Sequence, residues 1–143
     1  MSHRNPSDQE LKQLLTRART IAMIGASSNP EKASYGIMQQ LQKVGYRVIP
    51  INPRETEVLG ERAFASLSDV PEPIDIVDVF RRPEDTPSIA DEAVKAGAKA
   101  LWLQTGIVND EAAARAEAGG LLAVMDACVA ATHSLLQVPP KAP

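Results

Sequence analysis

The chain has 143 residues, enough for one domain with a real core and too few for a comfortable second one. Its formal net charge is −3 and its lysines and arginines are scattered, which leaves no basic stripe for nucleic acid. No apolar stretch approaches the roughly 20 residues of a membrane span. Met1–Pro6 lead into no apolar signal-peptide core, and a lone Cys128 makes no internal disulfide, so a cytoplasmic setting is expected.

In chain order, Ser7-Asp8-Gln9-Glu10 reads as a capping box, with Leu11, Leu14, Leu15 and Ala18 as the apolar stripe of a first helix. Ile21–Ile24 is a short apolar strand running into Gly25-Ala26-Ser27-Ser28. Ile37, Leu41 and Val44 then recur at helical spacing, and Gly45 closes that helix. Tyr46–Ile51 is the second strand, with Pro50 near its end as an edge or terminus tolerates. Ile74–Phe80 is the third, entered through Pro71 and Pro73. Thr86-Pro87 reads as N-cap and N1 proline of a helix that stops before Gly97. Ala100–Leu103 is the fourth strand. Asn109 caps a helix over Asp110–Ala118, and Gly119-Gly120 lead into a fifth strand, Leu121–Met125. A short helix within Val129–Leu136 ends the pattern, with a loose tail expected over 136–143.

Strands alternating with helices along the whole chain predict a single α/β domain over 1–143: a Rossmann-like, doubly wound parallel sheet of about five strands. In such sheets ligands bind beyond the carboxyl ends of the strands, at the switch point. Five segments converge there: Gly25–Ser28, Asn52-Pro53-Arg54, Phe80-Arg81-Arg82, Gln104-Thr105-Gly106 and Asp126-Ala127-Cys128. A glycine followed by small and hydroxylated residues at a strand end leaves room for a phosphate beside backbone N–H groups.

The loop is not the dinucleotide fingerprint, because Ser27 and Asn29 or Pro30 stand where further glycines would be. An NAD site also wants an acid at the end of the second strand to accept from ribose hydroxyls. Asn52-Pro53-Arg54 offers a cation instead, suited to a ribose phosphate, which coenzyme A and NADP carry and NAD lacks.

Five segments in order, Ile24–Pro30, Pro50–Pro53, Asp78–Arg81, Leu101–Ile107 and Asp126–Cys128, resemble the small bacterial CoA-binding proteins. That family is similar to the CoA-binding domain of the succinyl-CoA synthetase α subunit, and the resemblance runs from about Leu11 to His133. It implies that Gly25, Ala26, Ser27 and Ser28 hold the CoA phosphates and that Asn52, Pro53 and Arg54 lie near the adenosine end. It also implies that Val79, Phe80 and Arg81 border the ligand and that Gln104 and Gly106 sit near the pantetheine arm. The chain departs from its relatives at Ala127 and Thr132, where they often carry a basic and an acidic residue.

Other chemistry-bearing residues read as structural. Trp102 lies inside a strand and is expected in the core. Asp75 and Asp78 point to opposite faces of their strand, so they form no acid–base pair, and Asp78 is expected to cap a neighbouring loop. Cys128 reads as a small buried hydrophobe, His133 as a surface or capping residue, and His3 as part of a mobile N-terminus. The expected function is binding of CoA or an acyl-CoA without chemistry, as a sensor, carrier or regulator of an acyl-CoA enzyme. The alternatives are an NADP-linked oxidoreductase or part of a multi-subunit acyl-CoA ligase. No metal, membrane or nucleic-acid partner is expected; a protein partner is left open.

Overall fold

The computed structural model describes residues 3–141. Five parallel strands form one sheet in the order β2-β1-β5-β6-β7: β1 Thr20–Ile24, β2 Arg47–Ile51, β5 Ile76–Val79, β6 Ala100–Leu103 and β7 Leu122–Val124. Between β2 and β5 lies a small antiparallel hairpin, β3 Glu57–Val58 and β4 Glu61–Arg62. The helices are α1 Asp8–Arg17, α2 Ala33–Lys43, α3 Thr86–Lys95, α4 Asp110–Ala118 and α5 Val129–Leu135.

Both faces of the sheet are covered, which is why its central strands are almost wholly apolar. Ala22, Ile24, Val77, Val79, Leu101 and Leu103 point to the α3/α4 face, where Ile89, Ala93, Ala112 and Ala116 meet them. Ile21, Met23, Ile76 and Trp102 point the other way, against Leu15 of α1, Met38 and Leu41 of α2 and Val129 of α5. The chain runs outward from β1 to β2, then returns to place β5 on the other side of β1. The switch point therefore lies between β1 and β5.

Several elements begin and end for the local reasons their sequence suggests. Ser7 and Glu10 make the reciprocal capping box of α1. Asn109 accepts from the Ala112 N–H at 2.9 Å and caps α4. At α3 the expectation shifts by one residue: Asp85 is the N-cap, and the buried Thr86 hydroxyl donates backwards to the Pro83 carbonyl at 2.6 Å. In α2 the inward face is Ser34, Met38 and Leu41, with Ile37 and Val44 at its rim. Trp102 is fully buried and donates its indole N–H to the Ala127 carbonyl at 2.8 Å.

Both ends of the described chain are docked, contrary to expectation. His3 lies with its side chain 4 % exposed, its Nε2 2.8 Å from the Ala123 carbonyl. The Asn5 carboxamide pairs with both backbone groups of Met125, each at 2.8 Å, like one rung of a β-ladder. These contacts cover the outer edge of β7. At the other end Val138 is buried, and the Lys141 N–H donates to the Val44 carbonyl at 2.9 Å. The Lys141 ammonium donates to the Thr16 carbonyl and lies 4.8 Å above the Tyr46 ring. The expected loose tail is thus held as far as Lys141, because the apolar Val138 and the aliphatic stem of Lys141 have surface to cover.

His133 is a second correction. It is 6 % exposed, edge-on to Tyr46 at 5.7 Å, and its Nε2 has no partner. Burial and then nearby Lys141 hold its pKa below the usual value. Asp78 is a third. It is fully buried in β5, accepts from Gln104 Nε2 at 2.5 Å, and leaves Oδ2 unpartnered. The loop cap expected of Asp78 is made by Asp75, whose Oδ2 accepts from the Arg19 and Thr20 N–H groups. With both faces of the sheet covered, a residue inside β5 is buried whichever way it points, whereas Asp75 lies just before the strand begins.

Two predictions follow from these contacts. Asn5→Ala removes both bonds to Met125 at an edge that water can reach, so unfolding should become easier by about 1 kcal/mol, roughly 2–4 °C in Tm. Burial raises the Asp78 pKa from 3.8 to about 7, against the smaller opposing effect of the Gln104 hydrogen bond. The folded state therefore holds this proton more tightly than the unfolded one, and the stabilisation is complete below 3.8 and lost as pH rises through about 7. Melting curves of wild type and Asp78→Asn should show a Tm difference, wild type minus variant, that falls across this window. A difference constant from pH 5 to 8.5 would show that Asp78 does not titrate in the fold.

Candidate functional site

β1 ends in Ile24, and the chain must turn at once to reach α2 on the sheet's face. Gly25 makes that turn at φ +91°, a conformation that side chains disfavour. Its N–H donates to the Ile51 carbonyl at 2.9 Å, while the Phe80 N–H donates to the Ile24 carbonyl at 2.8 Å. A Cβ on Gly25 would overlap the Phe80 carbonyl oxygen. The glycine loop is therefore wedged between the ends of β2 and β5, at the switch point where the fold opens a crevice.

The loop's remaining donors divide unevenly. Among the described residues the Ala26 and Ser27 N–H groups have no acceptor. The Ser27 hydroxyl accepts from the Asn29 N–H at 3.0 Å and stiffens the turn. Ser28 is exposed, and both its N–H and its hydroxyl donate to the Glu55 carboxylate at 2.8 Å. Beyond the loop, α2 begins at Ala33 with no acidic residue in its first turn and no side-chain cap, which leaves its positive end open.

The end of β2 is tied to this loop. Asn52 Nδ2 donates to the Ala26 carbonyl at 2.8 Å, and Asn52 Oδ1 accepts from the Arg54 N–H at 3.0 Å. Pro53 and Arg54 are exposed, and Arg54 forms no ion pair among the described residues. The Glu55 N–H closes the turn onto the Asn52 carbonyl at 3.2 Å, which carries its side chain back to Ser28.

On the other side, Val79 is buried while Phe80 and Arg81 are half-buried. Phe80, Arg81, Arg82, Asp85 and Ile107 line an open groove of about 620 Å³. Gln104 is 3 % exposed, with its amide nitrogen committed to Asp78. Gly106 is exposed at φ +84°, and its N–H donates to Asp126 Oδ1 at 2.7 Å. Asp126 itself holds φ +55°, so this acid is locked into a strained position that ties the β6 loop to the β7 loop.

The sequence-predicted residues thus gather at the carboxyl ends of β1, β2, β5 and β6. Glu55, Arg82 and Ile107 join them without having been singled out as binding residues. Glu55 was legible in principle, since it follows the Asn52-Pro53-Arg54 turn directly; only the loop's curl shows that its carboxylate reaches Ser28. Cys128 is the N-cap of α5, half-buried and a free thiol. His133 lies at the far end of α5, against Tyr46, which precedes β2. Among the described residues no cluster of three metal-ligating side chains occurs, and no helix is long and apolar enough to cross a membrane.

Known proteins share this architecture. An uncharacterized protein of Bacillus subtilis strain 168, YneT, is 40% identical over 131 residues, which is 92% of this chain and 97% of that protein. The ADP-forming acetate–CoA ligase of Methanocaldococcus jannaschii is 33% identical over 98 residues, 68% of this chain but only 14% of the ligase. A solved structure of a hypothetical protein from Pyrococcus horikoshii OT3 superposes with a TM-score of 0.90 at 36% identity, covering 96% of this chain and 99% of that one. The family model described as a CoA binding domain matches residues 19–134, from β1 almost to the end of α5, and this chain belongs to that CoA-binding family.

Proposed function

We propose that this chain binds coenzyme A or an acyl-CoA in the crevice at the switch point and performs no chemistry on it, serving as a sensor, carrier or regulator of an acyl-CoA enzyme. The observation that carries the reading is the Gly25 loop: two N–H groups, Ala26 and Ser27, without an acceptor among the described residues, on the segment that leads to the α2 N-terminus, which no side chain caps. That arrangement suits a pyrophosphate. Family membership supports CoA as its bearer.

In this reading Gly25–Ser28 hold the pyrophosphate. Asn52 fixes the turn that presents Pro53 and Arg54 to the adenosine end, and Arg54 pairs with the ribose 3′-phosphate. Val79, Phe80 and Arg81 wall the ligand, and the pantetheine arm runs past Gly106. Gln104, with its amide nitrogen on Asp78, supports the strand end beneath the arm. Cytoplasmic residence belongs to the same proposal, since CoA and its thioesters are the ligands sought.

A second reading, a CoA-binding part that works with a separate ligase subunit, draws support from the acetate–CoA ligase similarity. Both readings need the same crevice. They part on turnover: the ligase part alone forms no thioester, and does so once its partner is added.

Thermal unfolding tests the binding. CoA at about 100 times its Kd should add roughly 2.7 kcal/mol of stability, whereas NAD, which lacks a ribose phosphate, should add little. A shift with NAD and none with millimolar CoA would overturn the reading. Arg54→Ala should weaken CoA roughly tenfold or more, since a charge-assisted hydrogen bond contributes about 1.5–3 kcal/mol. Binding of 3′-dephospho-CoA should change far less, and equal weakening of both ligands would remove Arg54 from that role.

A further inference from the structure

The Ser28–Glu55 contact has a consequence for how the crevice fills. A carboxylate is the closest protein stand-in for a phosphate: both present pairs of anionic oxygens, planar in the carboxylate and tetrahedrally disposed in the phosphate, to N–H and O–H donors. Glu55 offers one oxygen to the Ser28 N–H and the other to the Ser28 hydroxyl, each at 2.8 Å. It does so beside the two loop amides that have no acceptor. We infer that Glu55 is a built-in competitor that closes the anion cradle in the free protein and must swing out when a pyrophosphate enters. The inference rests on the reading of Gly25–Ser28 as a pyrophosphate cradle.

Three features make the displacement physical. Glu55 is half-buried and Ser28 exposed, so the carboxylate can leave into water. Its backbone is anchored independently, through the Glu55 N–H on the Asn52 carbonyl at 3.2 Å and Asn52 on the Ala26 carbonyl, so the side chain can move while the turn stays. Both states cannot coexist: a phosphate oxygen on the Ser28 donors would stand against the Glu55 oxygens, and like charges in contact repel strongly. The closed state also discriminates. Weakly binding anions fail to displace Glu55, whereas a ligand that makes further contacts along the crevice can do so. Affinity is thereby reduced by the fraction of time the cradle is closed, and a variant that removes the carboxylate regains it.

Glu55→Gln and Glu55→Ala should each bind inorganic pyrophosphate and CoA roughly tenfold more tightly than wild type, the equivalent of about 1.4 kcal/mol. Pantetheine, which has no phosphate, should bind all three proteins alike. Calorimetric titration reads the affinities, and the Ser28 ¹⁵N–¹H resonance should move on adding pyrophosphate to wild type as its acceptor is exchanged. Unchanged or weaker pyrophosphate binding in both variants would overturn the competitor and make Glu55 a bystander or a contact for ligand hydroxyls. Pyrophosphate binding to none of the three proteins would overturn it too, by removing the cradle. Tighter pyrophosphate with no CoA binding in any form would leave the competitor standing and bring down the CoA reading instead.

Discussion

The approach of Gly25 to the Phe80 carbonyl is the contact on which the crevice depends. Parallel neighbours whose chains leave in opposite directions must part at their carboxyl ends, and this is the only place where the sheet opens naturally. Here β1 and β5 part while remaining stitched through Phe80 N–H on Ile24, and Gly25 N–H on Ile51 ties the turn to the end of β2. With the backbones so close, only a residue without a Cβ fits, and only one tolerant of φ +91° makes the turn. The glycine therefore serves the fold and, in the proposed reading, the cradle at once. A side chain there disturbs β5 before it disturbs any ligand, so loss of binding in a Gly25 variant says little about contact. The exposed Ser28 and Arg54 and the half-buried Glu55 are the positions where a substitution tests the proposed binding apart from the fold.

Much of this was legible because the signals are local. Capping residues Ser7 and Asn109, the alternation of short apolar strands with helices, and Gly25 after an apolar run each depend on a few neighbouring residues, and each stands in the structure where the chain suggests. The fourth strand and the helix after Asn109 keep their expected bounds, Ala100–Leu103 and Asp110–Ala118. The hairpin at 57–62 gave no such signal: its strands are two residues long and its turn is Leu59-Gly60, both at positive φ, in place of an asparagine–glycine pair. Yet it leads into Phe64, which pairs with Pro50 and Asn52 and covers the open edge of β2. That edge position is also why Pro50 is tolerated.

The misread residues share one cause: their partners are far away in sequence. His3 and Asn5 look like free N-terminal residues until β7, some 120 positions later, offers its edge. Lys141 looks like tail until Thr16 and Tyr46 supply a carbonyl and a ring. Asp78 lies on its expected strand, but nothing local in the sequence shows that the Gln104 amide, 26 residues on, donates to it. A buried carboxylate is costly, and burial accordingly raises this carboxyl's affinity for its proton. The pair also ties β5 to the residue that follows β6.

The same placement bears on chemistry. Cys128 and His133 were the two side chains from which a nucleophile and its base could have been assembled, five residues apart at a strand-to-helix junction. With Cys128 as N-cap, α5 starts immediately and runs away from the crevice, and five residues of helix advance about 7.5 Å along the axis. His133 ends beside Tyr46 and Lys141, near the amino end of β2, while the cradle lies at the carboxyl end. Its buried, proton-averse ring meets an aromatic edge rather than a thiol. What stands at the carboxyl ends of the strands is instead the glycine loop with its donors, the guanidinium groups of Arg54, Arg81 and Arg82, and the carboxylates of Glu55 and Asp85.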